Sequence, residues 1–127
     1  MRSALLDTSF LIDLADEVAE GKEGPACRTL RRLAGARVYV SAVTVAELLE
    51  GAEEPAKAAV ELGAYRFLTL GWGAAQRCAL NQSRSAKRMG ENDAWQAALS
   101  AQAGHRLVGH DHAFEDLSWL DFLDHRR

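Results

Sequence analysis

The chain has 127 residues, 48% of them hydrophobic and 26% charged, the size and balance of one soluble globular domain spanning residues 1–127. Its longest apolar stretches, Ala42–Ala46 and Ala94–Leu99, fall far short of the ~20 residues that cross a bilayer, and no signal segment opens the chain, so the expectation is a cytoplasmic protein with no membrane contact. Cys27 and Cys78 are isolated, which predicts two buried, reduced thiols rather than a zinc site or disulfide framework, and the net charge of −3 excludes the uniformly basic surface common among nucleic-acid binders.

Ser3 to Leu6 is a short apolar run stopped by Asp7-Thr8-Ser9, after which Phe10, Leu11, Leu14 and Val18 recur at helical spacing. A break at Gly21 to Pro25 precedes a second helix marked by Cys27, Leu30, Leu33 and Ala34, with Arg28, Arg31 and Arg32 on its wet side. Arg37 to Val40 is β-rich, and Ser41 opens an apolar-periodic helix through Val45 and Leu48 to Gly51. A helix over Pro55 to Leu62 leads to a third strand, Arg66 to Leu70, and a long helix is predicted from Trp72 to Met89. Glu91 to Ala103 is helical and closed by Gly104, Arg106 to Gly109 is a fourth strand, and a loop or short helix from His110 to Leu117 precedes a last short strand near Trp119. Strands alternating with helices predict a three-layer, Rossmann-like α/β fold with a central parallel sheet of four to five strands.

Open parallel sheets bind ligands beyond the carboxyl ends of their strands. Asp7 ends the first strand and Asp111 lies just past the fourth; Glu47 sits on the helix after the second, and Asp93 opens the helix before the fourth. If strands one, two and four are neighbours, all four carboxylates converge. Each acid also has a structural explanation: Asp7 as a helix cap, Asp93 as a first-turn acid, and Glu47 as the far end of a capping box begun by Thr44. A helix that starts at Ser41 instead puts Glu47 in the second turn, beyond reach of the first amides. Asp7 follows three apolar residues of a strand that should be central, where an unpaired carboxylate is costly and calls for a metal or a donor. Setting the four acids aside leaves 14 against 15 basic residues, so the negative charge is local.

Leu6-Asp7-Thr8-Ser9 with Leu11-Ile12-Asp13, and Ser41 to Leu48 with Gly51, resemble the first half of a PIN-domain ribonuclease of the VapC toxin type. Gly90 to Ala98 and Leu107 to Asp111 with Phe114 resemble its third and fourth acidic blocks, in order and across nearly the whole chain. The resemblance implies a Mg²⁺- or Mn²⁺-dependent endoribonuclease, the toxin of a toxin–antitoxin pair, with a cognate antitoxin as partner and a homodimeric assembly. It implies that Asp7, Asp93 and Asp111 coordinate the cation directly or through water, that Glu47 positions or deprotonates the attacking water, and that Ser9 and Thr8 order the surrounding water. Hard divalent cations suit such oxygen ligands. The chain departs from the family pattern at three places: Gly109 stands where Thr or Ser is usual, removing a hydroxyl, Ala113 where a further Asp is common, and Gln96 where an apolar residue is customary. Asp116 is a substitute acid for the second of these.

Arg77, Asn81, Arg84 and Arg88 fall at steps of four, three and four, one face of the predicted long helix, which makes Arg84 and Arg88 candidates for holding an RNA backbone and a solvated face the alternative. His110 and His112 flank Asp111, but the helical phosphohydrolases that use a His-Asp pair need further upstream ligands; both are expected at the site mouth. A receiver module is excluded because Thr8 follows Asp7 and no lysine lies in a strand, and a haloacid-dehalogenase-like phosphatase because position 9 is Ser. The remaining rival is a catalytically degenerate PIN fold that only binds RNA or a partner, for which Gly109 is the best support.

Overall fold

The computed structural model describes residues 2–127. Five strands, β1 (Ser3–Leu6), β2 (Arg37–Ser41), β3 (Arg66–Leu68), β4 (Arg106–Gly109) and β5 (Phe122–Asp124), form one sheet in the order β3-β2-β1-β4-β5, with every neighbouring pair parallel. Six helices connect them: α1 (Thr8–Glu20), α2 (Pro25–Arg32), α3 (Ala42–Gly51), α4 (Pro55–Leu62), α5 (Trp72–Arg84) and α6 (Glu91–Ala103). The expected three-layer parallel fold is the one observed, and β1 does lie between β2 and β4.

Alternation along the strands feeds two cores, because successive strand residues face opposite sides of the sheet. Ala4, Leu6, Val40 and Val108 pack with Phe10, Leu11, Ala26 and Leu33 on the side of α1 and α2, while Leu5 and Leu107 pack with Ala74, Ala97, Leu99 and Phe114 on the side of α5 and α6. β1 is buried on both faces, which is why it reads as a continuous apolar run. The chain steps from β1 to β2 and β3 in one direction, then crosses to β4 and β5 in the other. The reversal opens a crevice between the carboxyl ends of β1 and β4.

Three boundaries differ from the periodicity. α5 stops at Arg84 rather than Met89, since the Gln82 side chain folds the following segment back: its Nε2 donates to the Met89 carbonyl at 2.9 Å and its Oε1 accepts from the Met89 amide at 3.0 Å. β3 is only three residues long, and β5 lies at Phe122–Asp124, beyond Trp119, where its backbone finds Leu107 to Gly109 of β4. At the carboxyl end Asp13 of α1 accepts from His125 Nε2 at 2.8 Å and from Arg126 Nε and Nη2 at 2.8 and 2.9 Å, tying residues after β5 to the first helix. Cys78 is buried as expected but Cys27 is only half-buried, and both thiols are free. Among the described residues no helix is long and apolar enough to cross a membrane.

Candidate active site

The crevice is built from chain reversals at strand ends. Asp7 leaves β1 in an extended conformation and caps α1: its Oδ2 accepts from the Ser9 amide at 3.3 Å and the Ser9 hydroxyl at 2.7 Å. Its Oδ1 accepts from Gln96 Nε2 at 3.0 Å. Asp7 is therefore a helix cap and a crevice carboxylate at once, and though only 5% exposed it is supplied with donors. The buried carboxylate that called for a metal or a donor receives donors from Ser9 and Gln96.

Ser41 is the cap of α3, its Oγ accepting from the Thr44 amide at 3.2 Å. Thr44 is thus inside the helix, no capping box forms, and Glu47 is left in the second turn. Thr8 Oγ lies 3.0 Å from both Glu47 Oε1 and Thr44 Oγ. A hydroxyl has one proton and a carboxylate only accepts, so Thr8 donates to Glu47 and receives the Thr44 proton. Asp111 begins the 3₁₀ turn His112–Phe114, its Oδ1 accepting from the Ala113 amide at 2.9 Å.

Asp93 sits in the first turn of α6, in an open cleft of about 400 Å³ lined by Glu47, Gly90, Glu91, Asn92 and Asp93. Its carboxyl is pushed up from 3.8 to about 6, first by burial and then by the charges of Asp111, Asp7 and Glu47. The fold thus brings Asp7, Glu47 and Asp111 within electrostatic range of Asp93. Among the described residues no three His, Cys, Asp or Glu side chains already stand close enough together to hold an ion directly. Four carboxylates of like charge, one held back from ionising by burial and by the others, suit a hydrated divalent cation, which needs few direct protein ligands and neutralises the repulsion.

Of the accessory residues, Ser9 donates to Asp7 and Thr8 to Glu47. Gly109 has a different meaning from a missing hydroxyl. A Cβ there would stand 2.8 Å from the Asp7 Cβ and 2.8 Å from the Ser9 Oγ, so β4 approaches β1 too closely for a side chain. The Ser9 hydroxyl fills that space, accepting from the His110 amide at 3.0 Å while donating to Asp7.

The arginine stripe is not on one helix. Arg77 and Arg84 belong to α5, whereas Arg88 lies past its end and is ion-paired with Glu91 at the cleft. His112 is exposed and pairs with Glu115, and His110 stands 3.7 Å from Asp13, so the two histidines do not converge on Asp111. Asp116 is exposed. The residues that sequence reasoning missed are Gln96, Ser41 and Thr44, all buried and all within the network around Asp7; the one signal was a glutamine in an apolar helix.

Comparison with known proteins gives a consistent picture. No curated protein is matched significantly by sequence. Among solved structures, VapBC2 from Rickettsia felis bound to a promoter DNA fragment is similar at a TM-score of 0.77 and 15% identity, covering 95% of this chain and 97% of that one. VapBC from Salmonella typhimurium bound to DNA gives 0.77 and 20%, covering 98% and 99%, and a toxin–antitoxin complex from Klebsiella pneumoniae 0.76 and 20%, covering 96% and 97%. The PIN domain family matches residues 4–120, a span that runs from within β1 to just short of β5 and includes all four acids, and the chain belongs to that family.

Proposed function

We propose that this protein is a divalent-metal-dependent endoribonuclease that hydrolyses RNA phosphodiester bonds and serves as the toxin of a toxin–antitoxin pair. What supports the reading is a PIN fold in which Asp7, Glu47 and Asp111 lie near enough to Asp93 for their charges to add to burial in raising its carboxyl to about 6. Asp7, Asp93 and Asp111 would hold Mg²⁺ or Mn²⁺, directly or through water, and the bound cation would supply Lewis-acid stabilisation of the phosphate. Glu47, fixed by Thr8, orients the attacking water and takes its proton. Ser9 and Thr8 keep the carboxylates in place. Arg84, exposed at the end of α5, and Arg88, at the cleft beside Glu91, receive the RNA backbone.

The likeness to VapBC and toxin–antitoxin structures supports a cognate antitoxin; a homodimer and a cytoplasmic setting are parts of the same proposal. Phe67, Leu70 and Trp72, exposed along β3 and the start of α5, are apolar surface suited to a protein cover. The rival reading, a degenerate fold that only binds, leans on the hydroxyl missing at Gly109; against it, the Ser9 hydroxyl occupies the space beside Gly109 and donates to Asp7. The test is cleavage of end-labelled single-stranded RNA by purified protein with Mg²⁺ or Mn²⁺ and with EDTA. Cleavage should need the cation and disappear in Asp7→Asn, which keeps a capping oxygen; cleavage that survives EDTA, or a fully active Asp7→Asn, refutes the proposal.

A further inference from the structure

We infer that Gln96 is a positioning residue of the candidate centre, holding Asp7 so that one oxygen lone pair stays free and tying that carboxylate to Glu47 through Thr44 and Thr8. The inference rests on the metal-dependent reading of the same crevice.

Gln96 is 1% exposed, in a stretch of α6 that is otherwise small or apolar and buried, Ala94 and Ala97 to Leu99. An amide in such surroundings is retained at a cost unless its polar atoms are satisfied. Here they are. The carboxylate of Asp7 can only accept, so the atom facing it is the amide nitrogen, and the orientation of the side chain is fixed by chemistry. One N–H of that nitrogen goes to Asp7 Oδ1 at 3.0 Å and the other to Thr44 Oγ at 2.9 Å, while the carbonyl oxygen accepts from the Ser41 hydroxyl. With the Thr44 oxygen engaged as acceptor, its proton passes to Thr8, and that of Thr8 to Glu47. A continuous chain therefore links Asp7 to Glu47, its donors pointing outward from the Gln96 amide, to Asp7 on one side and through Thr44 and Thr8 to Glu47 on the other, and it joins the start of α1 with α6 and α3.

The consequence for Asp7 is a count of lone pairs. A carboxylate offers about four acceptor positions. Two on Oδ2 are taken by the Ser9 amide and hydroxyl, and one on Oδ1 by Gln96. The position left is on Oδ1, so Asp7 is set up as a one-oxygen ligand that cannot turn to chelate. An apolar residue at position 96 would leave Asp7 Oδ1, Ser41 and Thr44 without this partner and release the link to Glu47.

The test is Gln96→Met, which keeps the volume and length of the side chain while deleting its hydrogen bonds, combined with Asp7→Asn in a double-mutant cycle. Mn²⁺ binding to the metal-free proteins is measured by calorimetry, with circular dichroism to confirm folding. Gln96→Met should bind Mn²⁺ roughly 10- to 100-fold more weakly, the range seen when a ligand's supporting partner is removed. In the Asp7→Asn background the same change should have little further effect, because it acts through Asp7. A second measurement needs no variant: in the wild-type protein, the side-chain amide NMR signals of Gln96 should shift on saturation with Mg²⁺. Wild-type affinity in folded Gln96→Met, losses that add in the double mutant, or unmoved Gln96 signals in a protein that does bind Mg²⁺ would overturn the inference and leave the metal-dependent reading standing. Wild-type protein that binds neither ion overturns both.

Discussion

Asp93→Asn offers a direct measure of the electrostatic stress in the crevice. Folding raises the Asp93 carboxyl from 3.8 to about 6, through burial first and the neighbouring Asp111, Asp7 and Glu47 charges next. The native state thus holds this proton more tightly than the unfolded chain, and stability falls as pH rises from about 3.8 to about 6, with the full deficit present above that. A shift of this size corresponds to about 3 kcal/mol, which solvent screening on the open side of the half-buried group reduces to about 1–2 kcal/mol. Metal-free Asp93→Asn should therefore be more stable than wild type near pH 7 by that amount, a rise in melting temperature of roughly 3–8 °C. The advantage should shrink to nothing below about pH 4, where Asp93 is protonated in both states. Thermal melts of both proteins across this range in EDTA measure the gap. Adding Mg²⁺ near neutral pH should then narrow or reverse it, since only wild type keeps the full acid set. A variant that is less stable than wild type at neutral pH in EDTA, or a gain that does not change with pH, refutes the reasoning.

Gly109→Ser restores a hydroxyl at the end of β4 but forces a Cβ against Asp7 and Ser9; it should destabilise by roughly 1–3 kcal/mol in urea unfolding and reduce cation-dependent cleavage rather than enhance it. Glu17→Ala removes a carboxylate of α1 that accepts from the amides of Gly24, Ala26 and Cys27 at 2.8–2.9 Å and so caps α2 from another helix; a loss of about 1–2 kcal/mol should appear in denaturant melts with cleavage unchanged per folded molecule. Asp13 is held at about 2, below its usual 3.8, by its Arg126 hydrogen bond above all, against an opposing effect of burial and with help from His125. Its stabilisation is present above pH 3.8 and lost as pH falls through about 2, so Asp13→Asn should cost about 1–2 kcal/mol near pH 7 after screening and progressively less in acid melts.

The sheet was legible because β1 and β4 are apolar on both faces and are followed at once by polar turns, and because capping residues mark the helices after them. The acids were legible as strand-end residues, and Glu47 became interpretable once Ser41 rather than Thr44 was the cap. What was hidden depends on contacts between distant segments. Nothing local ends α5 at Arg84; the Gln82 clamp on Met89 does. β5 is placed by pairing with β4, and its own three residues carry no strand pattern strong enough to locate it. The tether from Asp13 to His125 and Arg126 spans most of the chain. Gln96 was visible only as an oddity, since α6 is buried on several sides and periodicity in such a helix does not tell which face meets the crevice.

Asp7 and Asp93 are held in opposite ways, and the contrast assigns them different work in the proposed reaction. Asp7 is almost fully buried, yet donors from Ser9 and Gln96 satisfy it before any cation arrives. Its position is therefore set by the fold, and occupying its remaining lone pair requires little rearrangement. Asp93 is more open, and burial first and the charges of Asp111, Asp7 and Glu47 next raise its carboxyl to about 6, so a cation that neutralises the crevice must displace its proton. Such a site should take up a cation more tightly as pH rises through about 6, because the competing proton on Asp93 is lost there. Mn²⁺ titrations on either side of that pH measure the effect, and an affinity that is the same on both sides contradicts the coupling between Asp93 and its three neighbours.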